Sequence, residues 1–188
     1  RMAEQMYPDR VAIPYRADDV ERIARSGKLV AAIGIENGFS VGTDLTLVKL
    51  FHDLGGRYIG ITHNNHSDLG DSNIHQGNSN NPEHNGLSEL GRRFVAEVNR
   101  VGLMLDVSHA GKETMLQAVR LSRAPVIASH SSTTAYANHP RNMDDEQLLG
   151  LKANGGVMQT VAFAGYVKIT PPERQEAINA LRTEFGLP

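Results

Sequence analysis

Short apolar runs alternate with amphipathic stretches along the chain of 188 residues. Five of these runs are almost continuously apolar, and they span residues 29–35, 57–62, 103–108, 125–129 and 156–163. Continuous rather than alternating apolar character is typical of parallel β-strands that are buried on both faces. The pattern therefore predicts five parallel strands.

Stretches with a helical period flank and separate the five runs. They span residues 18–26, 44–54, 88–101, 112–122, 144–153 and 172–185. In the third of them, Ser88 is placed to cap the start of a helix and Gly102 to end it. Strands that alternate with helices through short connections predict a parallel α/β fold.

A residue with metal-binding chemistry closes each of the first four predicted strands: Glu36, His63, His109 and His130. In a (β/α)8 barrel, the carboxyl ends of the strands meet at one mouth, where active sites form. Three imidazoles and a carboxylate gathered there would suit zinc or a similar divalent ion, and the carboxylate can bridge two such ions. The strand ends therefore favour a TIM barrel over an open doubly wound sheet. Five β/α units make an incomplete barrel, because eight units need about 250 residues.

Two loops add to the predicted mouth. The Asn-rich segment 64–85 is longer than most loops and follows His63, so we expect it to lie over the active-site mouth as a lid. Arg141 lies in a later loop on the same side, where its guanidinium is suited to hold a substrate carboxylate. The alternative for Arg141 is a solvated surface charge. The three histidines of the long loop are not expected to bind metal: His66, His75 and His84.

Composition narrows the function classes. The chain has no cysteine and a formal net charge of −2. Thiolate chemistry and cysteine-based zinc sites are therefore excluded, and any metal must be held by His, Asp or Glu. A near-neutral charge gives no electrostatic reason to expect nucleic acid as a partner. No apolar run approaches the roughly 20 residues that a membrane-spanning helix needs.

Six motifs resemble those of the membrane (renal) dipeptidase family, in the same order and spacing. They are Glu36-Asn37-Gly38, Ile61-Thr62-His63-Asn64, Gly86-Leu87-Ser88, Leu105-Asp106-Val107-Ser108-His109, the run 123–131 and Arg141-Asn142. The resemblance spans roughly residues 33–168. It implies a zinc-dependent dipeptidase on a metallo-hydrolase (β/α)8 barrel, with two zinc ions in each complete site.

The resemblance also implies a role for each candidate residue. Glu36 would bridge the two zinc ions, and His109 and His130 would bind the second of them. Arg141 would hold the terminal carboxylate of a dipeptide substrate. His63, which the strand-end pattern alone places among the metal ligands, would instead be catalytic and would hydrogen-bond the substrate or the oxyanion of the tetrahedral intermediate.

Two parts of the family pattern have no counterpart in the sequence. No His-x-Asp pair, which would bind the first zinc ion, precedes Glu36, and no late-strand aspartate follows as a proton donor. We therefore expect residues 1–188 to form a single partial barrel domain, an internal piece of a longer protein that is inactive alone. Family members are often dimers, so a homodimer is one expected assembly. Family members also occur in several cellular compartments, so the resemblance does not predict a localisation.

Other functions stay open at this point. One is a catalytically silent or repurposed barrel that binds a peptide or an acyl-amino compound without cleaving it. Another is a different metal-dependent amidohydrolase that acts on N-acyl amino acids or lactams. Side chains of the mouth loops decide among these substrates, and the metal ligands do not.

Overall fold

A computed structural model describes residues 2–74, 81–169 and 171–187. The strands are β1 (Val11–Ala12), β2 (Leu29–Val30), β3 (Ile33–Ile35), β4 (Gly56–Gly60), β5 (Met104–Asp106), β6 (Ile127–Thr133), β7 (Asn142–Met143) and β8 (Val157–Thr160). The helices are α1 (Met2–Met6), α2 (Ala17–Arg25), α3 (Thr46–Asp53), α4 (Glu89–Val101), α5 (Lys112–Leu121), α6 (Asp145–Asn154), α7 (Ala164–Val167) and α8 (Pro172–Glu184). Among these residues, no helix combines the length and apolar character that a membrane crossing requires.

The main sheet holds β3, β4, β5, β6 and β8 side by side in chain order, and every pair of neighbours is parallel. The short strand β7 pairs with the end of β6. In a doubly wound sheet the strand order reverses at a switch point. Here each new strand of the main series adds to the same edge, as in the wall of a (β/α)8 barrel. The structure thus confirms the predicted fold, a partial barrel of consecutive β/α units.

The first and last predicted strands are shorter than the apolar pattern indicated. Residues 29–30 leave the main sheet and pair with β1, a strand that the pattern did not predict, so that Val11 lies opposite Leu29. Only the second half of the first run, β3, joins the main sheet. The last run stops being a strand after Thr160 and leads into the short helix α7.

The apolar core lies between the main sheet and the helices that connect its strands. The register places Ile35 beside Ile59 and Ile59 beside Leu105. These strand residues belong to the same apolar cluster as residues from four helices, namely Val48, Phe94, Val95, Val98, Met115, Ala118 and Leu151. Burial of this one face accounts for much of the hydrophobic stabilisation.

The opposite face of the sheet is exposed in the part of the chain that the structure describes. Met104 on β5 is 42% exposed and Val157 on β8 is 60% exposed. The continuous apolar runs predicted burial on both faces, whereas helices cover only one.

The predicted helix ends of α4 are confirmed. The hydroxyl of Ser88 accepts the main-chain N–H of Gly91 at 2.9 Å, as an N-cap does. Gly102 ends the helix in the left-handed conformation with φ of 92°, which glycine adopts without a steric penalty. Local chemistry thus fixes the helix that follows the long loop.

We expect replacement of Asp144 by alanine to destabilise the protein by about 1 kcal/mol at neutral pH. The carboxylate of Asp144 accepts the N–H of Gln147 at 3.0 Å as the N-cap of α6, and it pairs with Lys112 Nζ at 2.7 Å. Asp144→Asn keeps an oxygen for the cap and loses only an exposed ion pair, so it should cost less than about 0.5 kcal/mol. Urea unfolding of both variants checks the two values.

The Asp144 contribution should depend on pH. The hydrogen bond from Lys112, followed by that from the Gln147 N–H, lowers the pKa of Asp144 below its ordinary value of 3.8. Because the folded pKa lies below the unfolded one, the stabilisation is present above about pH 4 and is lost as the pH falls through the folded pKa. The difference between wild type and Asp144→Ala should therefore narrow in acid; a constant difference would contradict this account.

Candidate metal centre

The candidate ligands come from four different strands of the main sheet, three from just beyond a carboxyl end and one from within a strand. Glu36 directly follows β3, His63 and His109 each lie three residues beyond the end of a strand, and His130 lies within β6. The pairing of β6 with β8 shifts register between residues 128 and 131, at the position of His130. Such bulges often re-aim a side chain next to an active site.

Three of these side chains meet at one point. Oε1 of Glu36 lies 3.2 Å from Nε2 of His109 and 3.0 Å from Nε2 of His130, and the two Nε2 atoms are 2.9 Å apart. Two histidine ligands of one tetrahedral zinc ion would be separated by about 3.3 Å, given Zn–N bonds of about 2.0 Å. Glu36, His109 and His130 therefore form a possible metal site.

The electrostatics of the cluster suit a cation. Burial, followed by the nearby charge of Arg141 and the imidazoles of His63 and His130, lowers the pKa of His109 to about 3. His109 is therefore neutral at physiological pH, which is the form of histidine that binds metal ions. Two imidazole nitrogens and one carboxylate oxygen would leave a coordination position for water, as in catalytic zinc sites.

His63 lies beside this cluster and not within it. Its Nε2 atom is 3.8 Å from Oε1 of Glu36, and its ring stacks on that of His109 with centroids 4.2 Å apart. The side chain is 43% exposed, so a substrate at the mouth can reach it. The strand-end pattern placed His63 among the ligands, whereas the cluster of ligand atoms forms without it.

Arg141 reaches the same region from the loop after β6, but its side chain is only 1% exposed. One guanidinium nitrogen, Nη2, donates to the main-chain oxygen of His130 at 3.1 Å, and the guanidinium carbon lies 5.4 Å from the ring centre of Tyr166. Within the described residues, Nε and Nη1 have no hydrogen-bond partner. The surface-charge alternative for Arg141 is therefore wrong, because the guanidinium is buried near the cluster.

Asp71 stabilises the described part of segment 64–85 through hydrogen bonds to its main chain. Its buried carboxylate accepts main-chain N–H groups of residues 83, 84 and 86. His66 and His84 bond within the same loop, to the N–H of Ser72 and the oxygen of Ser67 respectively, and neither belongs to the cluster of ligand atoms. His75 lies outside the described residues. The role of the segment as a lid over the mouth stays a prediction.

Polar residues behind the ligands were missed by the sequence analysis. Asp106 and Ser129 lie on neighbouring strands and hydrogen-bond each other, and Asn64 contacts His109. A signal was available, because a carboxylate such as Asp106 in an apolar strand is costly unless it is paired. With Glu36, Tyr58 and His130, the first two line a cleft of about 390 Å³ beside the ligand atoms.

A parallel β/α barrel wall with two histidines and a carboxylate converging at its carboxyl edge defines the class of barrel metallo-hydrolases. Comparison with known proteins gives the particular family. The chain belongs to the membrane dipeptidase family, peptidase family M19, whose sequence pattern it matches over residues 1–184.

Individual relatives agree with this membership. Over 94% of its residues, the chain is 37% identical to dipeptidase tcpJ of Claviceps purpurea. Over 81% of its residues, it is 39% identical to dipeptidase verJ of Clonostachys rogersoniana. The matched regions are 40% and 38% of the two relatives, so the chain spans about two fifths of the length of these curated proteins.

Solved structures show the same relationship. The probable dipeptidase PvdM of Pseudomonas aeruginosa superposes on the whole chain with a TM-score of 0.89 and 30% identity, and 47% of that protein is covered. A metallo peptidase of Rhodobacter sphaeroides, solved with a phosphinate mimic of the dipeptide L-Ala-D-Ala, superposes with a TM-score of 0.78 and 27% identity over 97% of the chain. The chain covers 54% of that second protein.

Proposed function

We propose that the protein is a zinc-dependent dipeptidase that hydrolyses the peptide bond of dipeptides with a free terminal carboxylate. The observation that carries this proposal is the convergence of Glu36, His109 and His130 at the barrel mouth, in a chain of the membrane dipeptidase family. The dipeptide mimic bound by the Rhodobacter sphaeroides relative supports the substrate class. The homodimer stays a prediction.

Glu36, His109 and His130 would hold the metal. When bound there, zinc would lower the pKa of a coordinated water towards neutrality and polarise the peptide carbonyl. Two zinc ions in each site are part of the proposal, because Glu36 has a second carboxylate oxygen with which to bridge. The described residues bring together one set of three ligands, and the resemblance assigns the first zinc ion to a His-x-Asp pair that is not among them.

His63 and Arg141 would act on the substrate itself. His63 is exposed beside the cluster, so its imidazole can donate a hydrogen bond to the oxyanion that develops during attack on the carbonyl. The unpaired Nε and Nη1 groups of Arg141 leave guanidinium N–H donors available to a substrate carboxylate. Because Arg141 is buried, a substrate would reach it only after a local movement, and the half-buried Tyr166 that stacks on it is the nearest aromatic cover.

Metal analysis together with a substrate panel tests this proposal. The whole gene product would be assayed on glycyl and D-alanyl dipeptides, an N-acyl amino acid and a lactam, before and after chelation. The proposal predicts dipeptide cleavage that a chelator abolishes and added zinc restores. Cleavage of only the N-acyl amino acid or lactam would make the protein another amidohydrolase, and binding without cleavage would make it a repurposed barrel.

We expect Arg141→Lys to lower kcat/KM for a dipeptide by about 10- to 100-fold, because lysine cannot form the two parallel hydrogen bonds of a guanidinium with a carboxylate. The matched measurement uses the same dipeptide with its terminal carboxylate converted to an amide. Arg141→Lys should change the rate for the amide much less than the rate for the acid.

Arg120→Lys is the control for this exchange, because Arg120 is exposed in the last turn of α5 and does not line the cleft beside the ligand atoms. It should leave both rates unchanged. If Arg141→Lys lowers the rates for acid and amide equally, Arg141 supports the fold of the mouth and does not bind the carboxylate.

A further inference from the structure

A buried polar network lies directly behind one of the two candidate histidine ligands. Asp106, at the end of β5, is only 3% exposed. Its Oδ1 atom accepts the main-chain N–H groups of Ser108 at 2.9 Å and Ser129 at 3.1 Å. Its Oδ2 atom accepts the hydroxyl of Ser129, and Ser129 Oγ in turn lies 2.8 Å from Nδ1 of His130.

The chemistry of these groups fixes where the hydrogen atoms lie. A carboxylate only accepts hydrogen bonds, and a serine hydroxyl has one hydrogen to donate. The hydroxyl hydrogen of Ser129 therefore goes to Asp106, so its oxygen must accept from His130. Nδ1 of His130 then carries the ring hydrogen, and the lone pair of Nε2 points towards Glu36 and His109.

The other candidate histidine ligand is held in the same way by a different residue. Nδ1 of His109 lies 3.0 Å from the amide oxygen of Asn64, which is an acceptor. Nδ1 of His109 therefore also carries the hydrogen, and its Nε2 is free for a metal. His109 adopts a φ of 68°, which is uncommon for a residue with a side chain, so surrounding contacts have to maintain its position.

We propose that Asp106, acting through Ser129, and Asn64 are positioning residues that hold His130 and His109 as Nδ1–H tautomers in the metal-free protein. Both Nε2 lone pairs and Oε1 of Glu36 then converge within 3.2 Å of one another with no hydrogen directed between them. That arrangement is unfavourable without a cation, and the network behind the rings maintains it. The site is thereby organised for a metal ion before the ion arrives.

This inference rests on the proposed metal site but can be tested without metal. Long-range ¹⁵N–¹H spectra of the metal-free gene product report which ring nitrogen of each histidine carries hydrogen. We expect the Nδ1–H pattern for His130 and His109. An Nε2–H pattern for His130 in the wild-type protein would overturn the inference, whether or not the protein binds zinc or cleaves dipeptides.

Asp106→Asn is the decisive variant. Its remaining oxygen can still accept the two main-chain N–H groups, while its new NH₂ group replaces Oδ2 and donates to Ser129 Oγ. Nδ1 of His130, at 2.8 Å, is then the nearest acceptor for the Ser129 hydroxyl, because Ser108 Oγ lies 3.5 Å away, and donation to Nδ1 puts that ring in the Nε2–H tautomer. The spectra should show this switch at His130 and leave His109 as Nδ1–H. Retention of the Nδ1–H form of His130 would contradict the relay.

Zinc affinity gives a second readout, measured by competition with a chromophoric chelator. Asp106→Asn and Ser129→Ala should each weaken zinc binding by about 10- to 100-fold, as loss of a partner behind a ligand does in other metal sites. Ser129→Thr keeps the hydroxyl and should restore most of the affinity. Loss of affinity in Ser129→Thr equal to that in Ser129→Ala would assign Ser129 a packing role and overturn the inference.

Ser131→Ala is the matched control. Ser131 lies two positions along β6, is also buried, and has no hydrogen-bond partner for its hydroxyl among the described residues. Its replacement should change neither the tautomers nor the zinc affinity. If the wild-type protein shows both Nδ1–H tautomers yet cleaves no dipeptide, the proposed function fails and the positioning role stands.

Discussion

Replacing Glu36 with glutamine is expected to lower kcat/KM for dipeptides by about 10³-fold or more and to remove bound zinc from the purified protein. Oε1 of Glu36 lies within 3.2 Å of both histidine nitrogens. Among the three grouped ligand atoms it is the only one that belongs to an acidic side chain, so Glu36 supplies the negative charge of the cluster. Glutamine has nearly the same shape but is uncharged. A neutral set of ligands binds a divalent cation far less tightly, and glutamine cannot bridge two ions.

The measurement combines metal analysis, steady-state kinetics and thermal unfolding of the metal-free protein. The side chain of Glu36 is 53% exposed, so Glu36→Gln should leave the metal-free unfolding midpoint almost unchanged. Glu176→Gln, which makes the same exchange on the exposed surface of α8, is the control and should keep both metal and activity. Full metal content in Glu36→Gln would show that the cluster is held together for another reason.

Replacing Gly91 with alanine is expected to destabilise the fold by about 3 kcal/mol. Gly91 lies in the first turn of α4, and a Cβ atom there would lie 1.8 Å from the main-chain oxygen of Leu69. That oxygen is fixed in place because it accepts the N–H of Ser88 at 3.0 Å. Neither side can move without displacing the helix, whose inner face packs Phe94 and Val98 into the core.

Gly150→Ala provides the comparison for this variant. Gly150 also lies within a helix, but a Cβ atom there would meet only side-chain ends, those of Leu116 at 3.3 Å and Val119 at 4.0 Å. The gain in helix propensity over glycine offsets a small rearrangement, so the change should stay within about 1 kcal/mol. Urea unfolding of the two variants measures the contrast. Similar values would mean that α4 can shift freely on the loop beneath it.

The strand-and-helix alternation predicted most of the fold, because continuous apolar runs and helical periods reflect local burial directly. It failed where tertiary pairing decides the outcome. The local sequence does not distinguish residues 29–30 from the β3 segment that follows them. These two residues leave the main sheet because they pair with β1, whose residues lie 18 positions earlier in the chain. Exposure of one sheet face likewise depends on what packs there, which no single strand encodes.

The ligand cluster was predictable because each of its residues is unusual for an apolar strand and directly follows an apolar run in the sequence. The role of each residue in the site was harder to predict from the sequence. His63 follows the same rule as His109 and His130, and only the side-chain geometry sets it apart by 0.6 to 0.8 Å of additional distance from Glu36. The partners of the rings, Asp106 and Asn64, act across strands and loops that sequence spacing does not relate.

The three grouped ligand atoms belong to three separate β/α units, and this distribution links metal binding to folding. In the unfolded chain Glu36, His109 and His130 are independent side chains, and they meet only when β3, β5 and β6 hold their register. An ion that binds only the assembled form adds RT ln(1 + [ion]/Kd) to the free energy of unfolding, or about 2.7 kcal/mol at 100 times Kd. A cation at this position is therefore a cross-link between distant parts of the chain, and its affinity measures how faithfully the barrel wall is assembled.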